Sequence, residues 1–165
     1  MINLLKNLFT KREPKNTSPF SNTTYKENLV IKLEADHQEL LSLYQKIMTE
    51  AKNNSFHTLH IELSTFKIKL KEHLAKEFKD LYVFIEFVVA DGSDKSSVRE
   101  FRSEMNTIAI QVMNTLNQYQ QSHVNKNNID EFIKSFEAIG GILVDRIMRE
   151  ETLLYPMYAK YGKNK

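Results

Sequence analysis

From Phe132 to Met157 the apolar side chains recur in alternating steps of four and three: Phe132, Phe136, Ile139 and Leu143, then Leu153 and Met157. That spacing marks one face of a helix. Carried through its middle, the same face meets Arg146 and Glu150. A core stripe with a cation and a carboxylate one turn apart constrains the whole chain. Burying either charge alone is expensive, so each must find a partner. The remainder of the fold has to bring polar groups to that level.

Three further stripes supply them. A first helix over about residues 25–52 presents Val30, Leu33, His37, Leu40, Leu41, Tyr44, Ile47 and Met48. A second, over about 56–89, presents Leu59, Leu63, Phe66, Leu70, His73, Glu77, Leu81, Phe84 and Val88. A third, over about 95–121, presents Val98, Phe101, Met105, Ile108, Val112, Leu116 and Tyr119. The breaks fall at AKNNSF, ADGSDKSS and QQSHVNKNN, where turn formers cluster and Ser, Asp or Asn can cap the next helix. Asn128 or Asp130 starts the fourth helix, and Pro156 and Gly162 are expected to help end it. With 4 Gly and 3 Pro in 165 residues, and no alternating strand-like segment, the chain reads as all-α. Similar helix lengths and short loops predict an antiparallel up-down-up-down four-helix bundle over residues 25–165.

Residues 1–24 differ. Ile2, Leu4, Leu5, Leu8 and Phe9 are interleaved with Lys6, Lys11 and Arg12, and Pro14 and Pro19 then interrupt any regular structure. The segment reads as a flexible basic arm. Weak membrane contact by residues 1–12, or docking into a partner groove, are its sharper readings. It lacks the long apolar core and small-residue cleavage site of a secretory signal. A net charge of +2 is too small to argue for nucleic acid. The chain has no cysteine, which removes disulfide and thiol chemistry and fits a cytoplasmic location. No apolar run is long enough to span a bilayer.

In such a bundle the mid-helix positions meet at one height. They are His37, then His73 with Glu77, then Met105, then Arg146 with Glu150, both pairs at i, i+4 spacing. Imidazole and carboxylate projecting inward from facing helices suit iron, manganese or zinc. The segments LEADHQELLSLYQKI, LKEHLAKEFKDLYVFI, REFRSEMNTIAIQV and RIMREETLLYP resemble the hemerythrin-like family, the HHE cation-binding domain, over about residues 29–158. That resemblance implies a di-iron bundle with His from all four helices. It matches His37 to the helix-one ligand, His73 and Glu77 to the helix-two pair, and Glu150 to the helix-four carboxylate.

Two positions depart from the family pattern. Arg146 stands where helix four should carry its His, and Met105 where helix three should. A guanidinium cannot coordinate a cation. Placed between Glu77 and Glu150, it would act as a metal-substituting cation that bridges both carboxylates. One reading is then a salt-bridged layer with no metal. The other is a single ion, iron at most once, on His37, His73 and Glu77. A second resemblance links FIKSFEAIGGILVDRIMREETLL to the fourth helix of the regulator-of-sigma-D and AlgQ family, which implies a bundle that binds a sigma factor. The functional expectation is a hemerythrin-like protein with a degraded site that is not an enzyme, the alternative being a regulator that binds a protein partner.

The other candidates have plainer readings. His57 and His60 lie at an exposed helix start, roughly 20 Å along the helix from His73 at ~1.5 Å per residue. His123 sits in a polar loop. Met105, Met113 and Met148 fill core gaps. Glu151 faces away from Glu150 and is solvated or paired. Tyr155-Pro156 terminates the helix. Gly140 and Gly141 cost helix stability, about 1 kcal/mol each relative to Ala, which suggests close helix approach.

Overall fold

The structure, a computed structural model, describes residues 24–163 apart from Asp91. The expected basic arm, residues 1–24, therefore lies outside the described residues but for Thr24. Among the described residues all regular structure is helical. Helix α1 spans Leu29–Lys52. Helix α2, Phe56–Lys76, runs without a break through a π-helical segment, Glu77–Tyr82, into α3, Val83–Val88. Helix α4 spans Ser93–Ser122. Helix α5, Ile129–Arg149, continues through a second π segment, Glu150–Leu154, into α6, Tyr155–Lys163. The chain thus makes four rods: α1, α2–α3, α4 and α5–α6.

The rods end where the sequence allows backbone that other residues resist. Asn54 adopts φ 55° after α1, and Asn tolerates that left-handed region better than most residues. Gly92 precedes α4 with φ 135°, where a side chain would be strained. No Ser or Asp caps that helix: Gly92 is the capping residue, and the Ser96 hydroxyl donates back to the Gly92 carbonyl. Asn128 does precede α5, but its side-chain oxygen accepts from the Asn125 backbone and shapes the loop.

Neighbouring rods touch along their length. Rod one meets rod two through Asp36–Lys76 and Glu39–Lys69. It meets rod four through His37–Glu150 and Tyr44–Phe136, and Tyr25, just before rod one, packs on Tyr158. Rod three meets rod two through Glu86–Arg102 and Lys67–Gln120, and rod four through Glu104–Arg146 and Tyr119–Phe132. The core falls into two apolar clusters. One contains Leu40, Leu70, Met105 and Ile139. The other contains Leu33, Leu81, Phe101 and Leu154. His37, His73, Glu77, Arg146 and Glu150 are buried between them. The polar layer therefore cuts the core in two.

Several local expectations need correction. Pro156 does not end the fourth rod. It sits in the first turn of α6, where a missing N–H costs little. The π segment before it also shifts the helical phase by a residue. Leu153, expected in the stripe, is 55% exposed, whereas Leu154 and Tyr158 are fully buried. Met148 is likewise not a core residue, being 56% exposed. Of the paired glycines, Gly140 alone carries the close approach. A Cβ there would overlap the Tyr44 ring, while one at Gly141 would meet open space. Gly162 packs against the Tyr25 ring in the same way and lies inside α6. No helix of the described residues is long and apolar enough to cross a membrane.

Candidate metal centre

The i, i+4 spacing on rods two and four, with His37 from rod one, builds one compact donor set. One ligand atom each from His37, His73, Glu77 and Glu150 lies within 4.8 Å of all the others. The two imidazoles approach to 4.7 Å between ring centroids. His37 Nε2 lies 3.3 Å from Glu150 Oε2, and His73 Nε2 lies 3.8 Å from Glu77 Oε2. Both Nε2 atoms thus face carboxylates of the layer. The Nδ1 atoms face outward: His37 Nδ1 is 2.8 Å from Glu151 Oε1, and His73 Nδ1 is 3.5 Å from Asp36 Oδ2.

Arg146 is buried in the same layer and fully engaged. Its Nε donates to Glu150 Oε1 at 2.5 Å, its Nη1 to Glu104 Oε2 at 3.2 Å and its Nη2 to the Tyr82 hydroxyl at 2.5 Å. The guanidinium also lies over the Phe101 ring, 4.7 Å from its centroid. It does bridge two carboxylates, but they are Glu150 and Glu104 rather than Glu150 and Glu77. Rod three therefore contributes a polar residue after all. It comes from Glu104, one position before Met105, which reaches in from the half-exposed rim and also pairs with Arg149. Met105 itself is buried and, with Gly140 and Leu143, lines a cavity of about 30 Å³ that borders His37, His73, Arg146 and Glu150.

Each π segment begins at a glutamate of the layer and returns a tyrosine to it. Glu77 and Tyr82 open and close the first; Glu150 opens the second, and the Tyr155 amide donates to the Glu150 carbonyl, the five-residue bond of a π turn. The tyrosines cross between rods. Tyr82, on rod two, accepts from Arg146 of rod four. Tyr155, on rod four, donates to Glu77 Oε1 of rod two at 3.1 Å, and its oxygen is 3.2 Å from His37 Nε2.

Burial and charge set the protonation of this layer. Burial, and then the neighbouring Glu150, push the Glu77 carboxyl well above the usual glutamate range, against the pull of Arg146. Burial lowers His73. Burial alone would lower His37 as well, but Glu150 and Glu151 overcome it and raise that imidazole. Burial pushes both Tyr82 and Tyr155 up, so each is a protonated phenol. Asp36 is held down at about 2, chiefly by its hydrogen bond to His73 and despite some burial.

The residues present fit a cation. Two carboxylates and two imidazoles form a donor set suited to a first-row transition metal. Glu77 Oε2 is fully buried and has no hydrogen-bond partner. A buried carboxylate oxygen left bare costs about 1–3 kcal/mol or more, and an ion at the centre of the donor set would satisfy it. The candidates read as bystanders lie elsewhere. His57 is exposed, and the His60 ring lies tilted against the His123 ring at 5.0 Å between centroids. Sequence reasoning missed Asp36, Glu104 and the role of Glu151, and it read Tyr155 only as a helix end. The recurring spacing His73-x3-Glu77-x4-Tyr82 and Arg146-x3-Glu150-x4-Tyr155 was the available signal for the tyrosines.

No curated protein and no solved structure matches the chain. The family model described as the Hemerythrin HHE cation binding domain matches residues 28–158. That span runs from just before α1 into α6 and includes every residue of the buried layer. The chain belongs to the hemerythrin HHE cation-binding family.

Proposed function

We propose that this protein is a non-catalytic hemerythrin-type binding protein that holds one metal ion, with Arg146 standing permanently where a second ion's ligand would be. The bundle is the antiparallel up-down-up-down one, residues 25–165. Support for the topology comes from the rod contacts, whose residue numbers fall along one rod as they rise along its neighbour. His37, His73, Glu77 and Glu150 would hold the ion. The observation that carries this reading is the bare, buried Glu77 Oε2 inside a four-residue donor set only 4.8 Å across.

Charge supports the same count. Glu77 and Glu150 bring two negative charges and Arg146 one positive, which leaves one uncompensated before Glu104 is considered. A second cation beside the guanidinium would face strong repulsion at low dielectric. A single divalent ion compensates that leftover charge together with the charge of Glu104, which pairs with Arg146. Tyr155 keeps Glu77 Oε1 oriented, while Tyr82 and Glu104 hold the guanidinium against Glu150. Iron bound there supplies one-electron redox chemistry and a coordination position for a small ligand.

Elemental analysis of the purified full chain from iron-supplemented culture tests the reading, alongside Glu77→Ala and His73→Ala. We expect metal in the wild type and its loss in both variants. Wild-type protein free of metal after purification without chelators, and unable to take up iron or zinc, would contradict it.

A further inference from the structure

Two carboxylates outside the donor set bind the rear nitrogens of its two histidines, and nothing in the metal reading requires them. We infer that Glu151 and Asp36 are positioning residues that hold a proton on Nδ1 of His37 and His73, keeping each Nε2 lone pair available to an ion; this inference rests on the single-ion reading.

The geometry at His37 is the more telling. On an α-helix, residues i and i+1 do not face one direction. Yet Glu150 and Glu151 grip the same imidazole, Glu150 at Nε2 and Glu151 at Nδ1, at 3.3 and 2.8 Å. The second π segment begins at this pair, and its wider turn is a local feature that such segments often bring to functional sites. A neutral imidazole carries one proton. Inside the layer Nε2 faces the Glu150 carboxylate and the Tyr155 oxygen, both of which would draw that proton inward and block the nitrogen from a cation. Glu151, a carboxylate acceptor 2.8 Å from Nδ1 at the rim, with a 33% exposed side chain, is the competitor that keeps a proton on the outer nitrogen. A ligating histidine commonly depends on such an outer carboxylate.

Asp36 does the same for His73 with a weaker grip. Its Oδ2 is 3.5 Å from Nδ1 but only 2.5 Å from Lys76 Nζ, so the lysine takes most of the oxygen. The two carboxylates flank the layer on opposite histidines, and both are reachable from solvent. Neither belongs to the donor set itself.

The test uses the full chain and Zn(II), a diamagnetic probe, with two independent readings. Ring-nitrogen NMR of the metal-free protein, at a pH alkaline enough that both imidazoles are neutral, reports which nitrogen of His37 and of His73 holds the proton. Competition with a chelating dye reports Zn(II) affinity. In Glu151→Ala we expect Nδ1 of His37 to lose its proton, and Zn(II) affinity to fall about tenfold to a hundredfold. Glu151→Gln should restore both within a few fold, because an amide oxygen still accepts from Nδ1–H without the charge. Asp36→Ala should show the smaller loss of affinity. Retention of the Nδ1 proton in Glu151→Ala, unchanged Zn(II) affinity, or a Glu151→Gln variant as weak as Glu151→Ala would overturn the inference. Wild type that fails to bind Zn(II) or iron would defeat the single-ion reading alone, and the nitrogen pattern would still decide whether Glu151 sets the proton on His37.

Discussion

The two limbs of the polar layer are built to one plan and differ at one residue. Rod two carries His73, Glu77 and Tyr82; rod four carries Arg146, Glu150 and Tyr155 at the same spacing. In both, a π segment starts at the glutamate, and the tyrosine crosses to the opposite limb. On rod two the first position offers a lone pair, and its glutamate oxygen is left bare. On rod four it offers a fixed positive charge, and Glu150 is satisfied by it at 2.5 Å. One limb still needs a cation and the other already contains one. Replacing a ligand by a guanidinium therefore leaves the layer's architecture intact and changes what it takes up.

The largest effect expected from breaking this asymmetry is at Arg146. Arg146→Ala leaves Glu150 and the Tyr82 hydroxyl without their partner inside the core. Removing one member of a buried ion pair costs about 3–5 kcal/mol, so denaturant unfolding of the chelated protein at neutral pH should lose that much stability. A variant within about 1 kcal/mol of wild type would mean that the guanidinium is not holding the layer together.

The tyrosines should separate next. Tyr82→Phe removes a hydrogen bond to a charged group, worth about 1.5–3 kcal/mol, with or without metal. Tyr155→Phe strips Glu77 of its one hydrogen bond, at about 1–3 kcal/mol in chelated protein, and that loss should shrink once an ion binds Glu77. Equal sensitivity of the two losses to metal would break the distinction between the limbs.

The remaining effect is a pH slope, small per pH unit. The Glu77 carboxyl is raised in the folded protein by burial and by Glu150. Its contribution is fully present below the ordinary glutamate range and is lost as pH rises through the raised value. Relative to Glu77→Gln, the chelated wild type should therefore lose stability on going from acid to neutral pH, by at most about 1.4 kcal/mol per pH unit. Unfolding at matched pH values checks this, and a parallel pH dependence in the two proteins would contradict it.

Much of this arrangement was legible in the sequence, because period and burial are linked. The stripes through Leu59, Leu63, Phe66 and Leu70, or Phe132, Phe136 and Ile139, are buried as their spacing demands. His37, His73, Glu77, Arg146 and Glu150 were readable as polar residues caught in such stripes. The π segments were not, since an ideal 3.6-residue period cannot show an extra residue in a turn. With that extra residue Leu154 is buried rather than Leu153, and Glu151, at the start of the segment, lies on His37. Glu104 was hidden for a different reason. Its backbone lies at the rim of rod three, and only side-chain length carries it to Arg146.

The most direct measurement is the number of ions bound per chain in a titration of chelator-stripped protein with Fe(II) or Zn(II), for the wild type and for a variant carrying both Met105→His and Arg146→His. The single-ion account predicts one ion in the wild type and two in the double variant, with the melting temperature of each rising as its sites fill. No uptake by the wild type, two ions in the wild type, or a double variant that stops at one would contradict it.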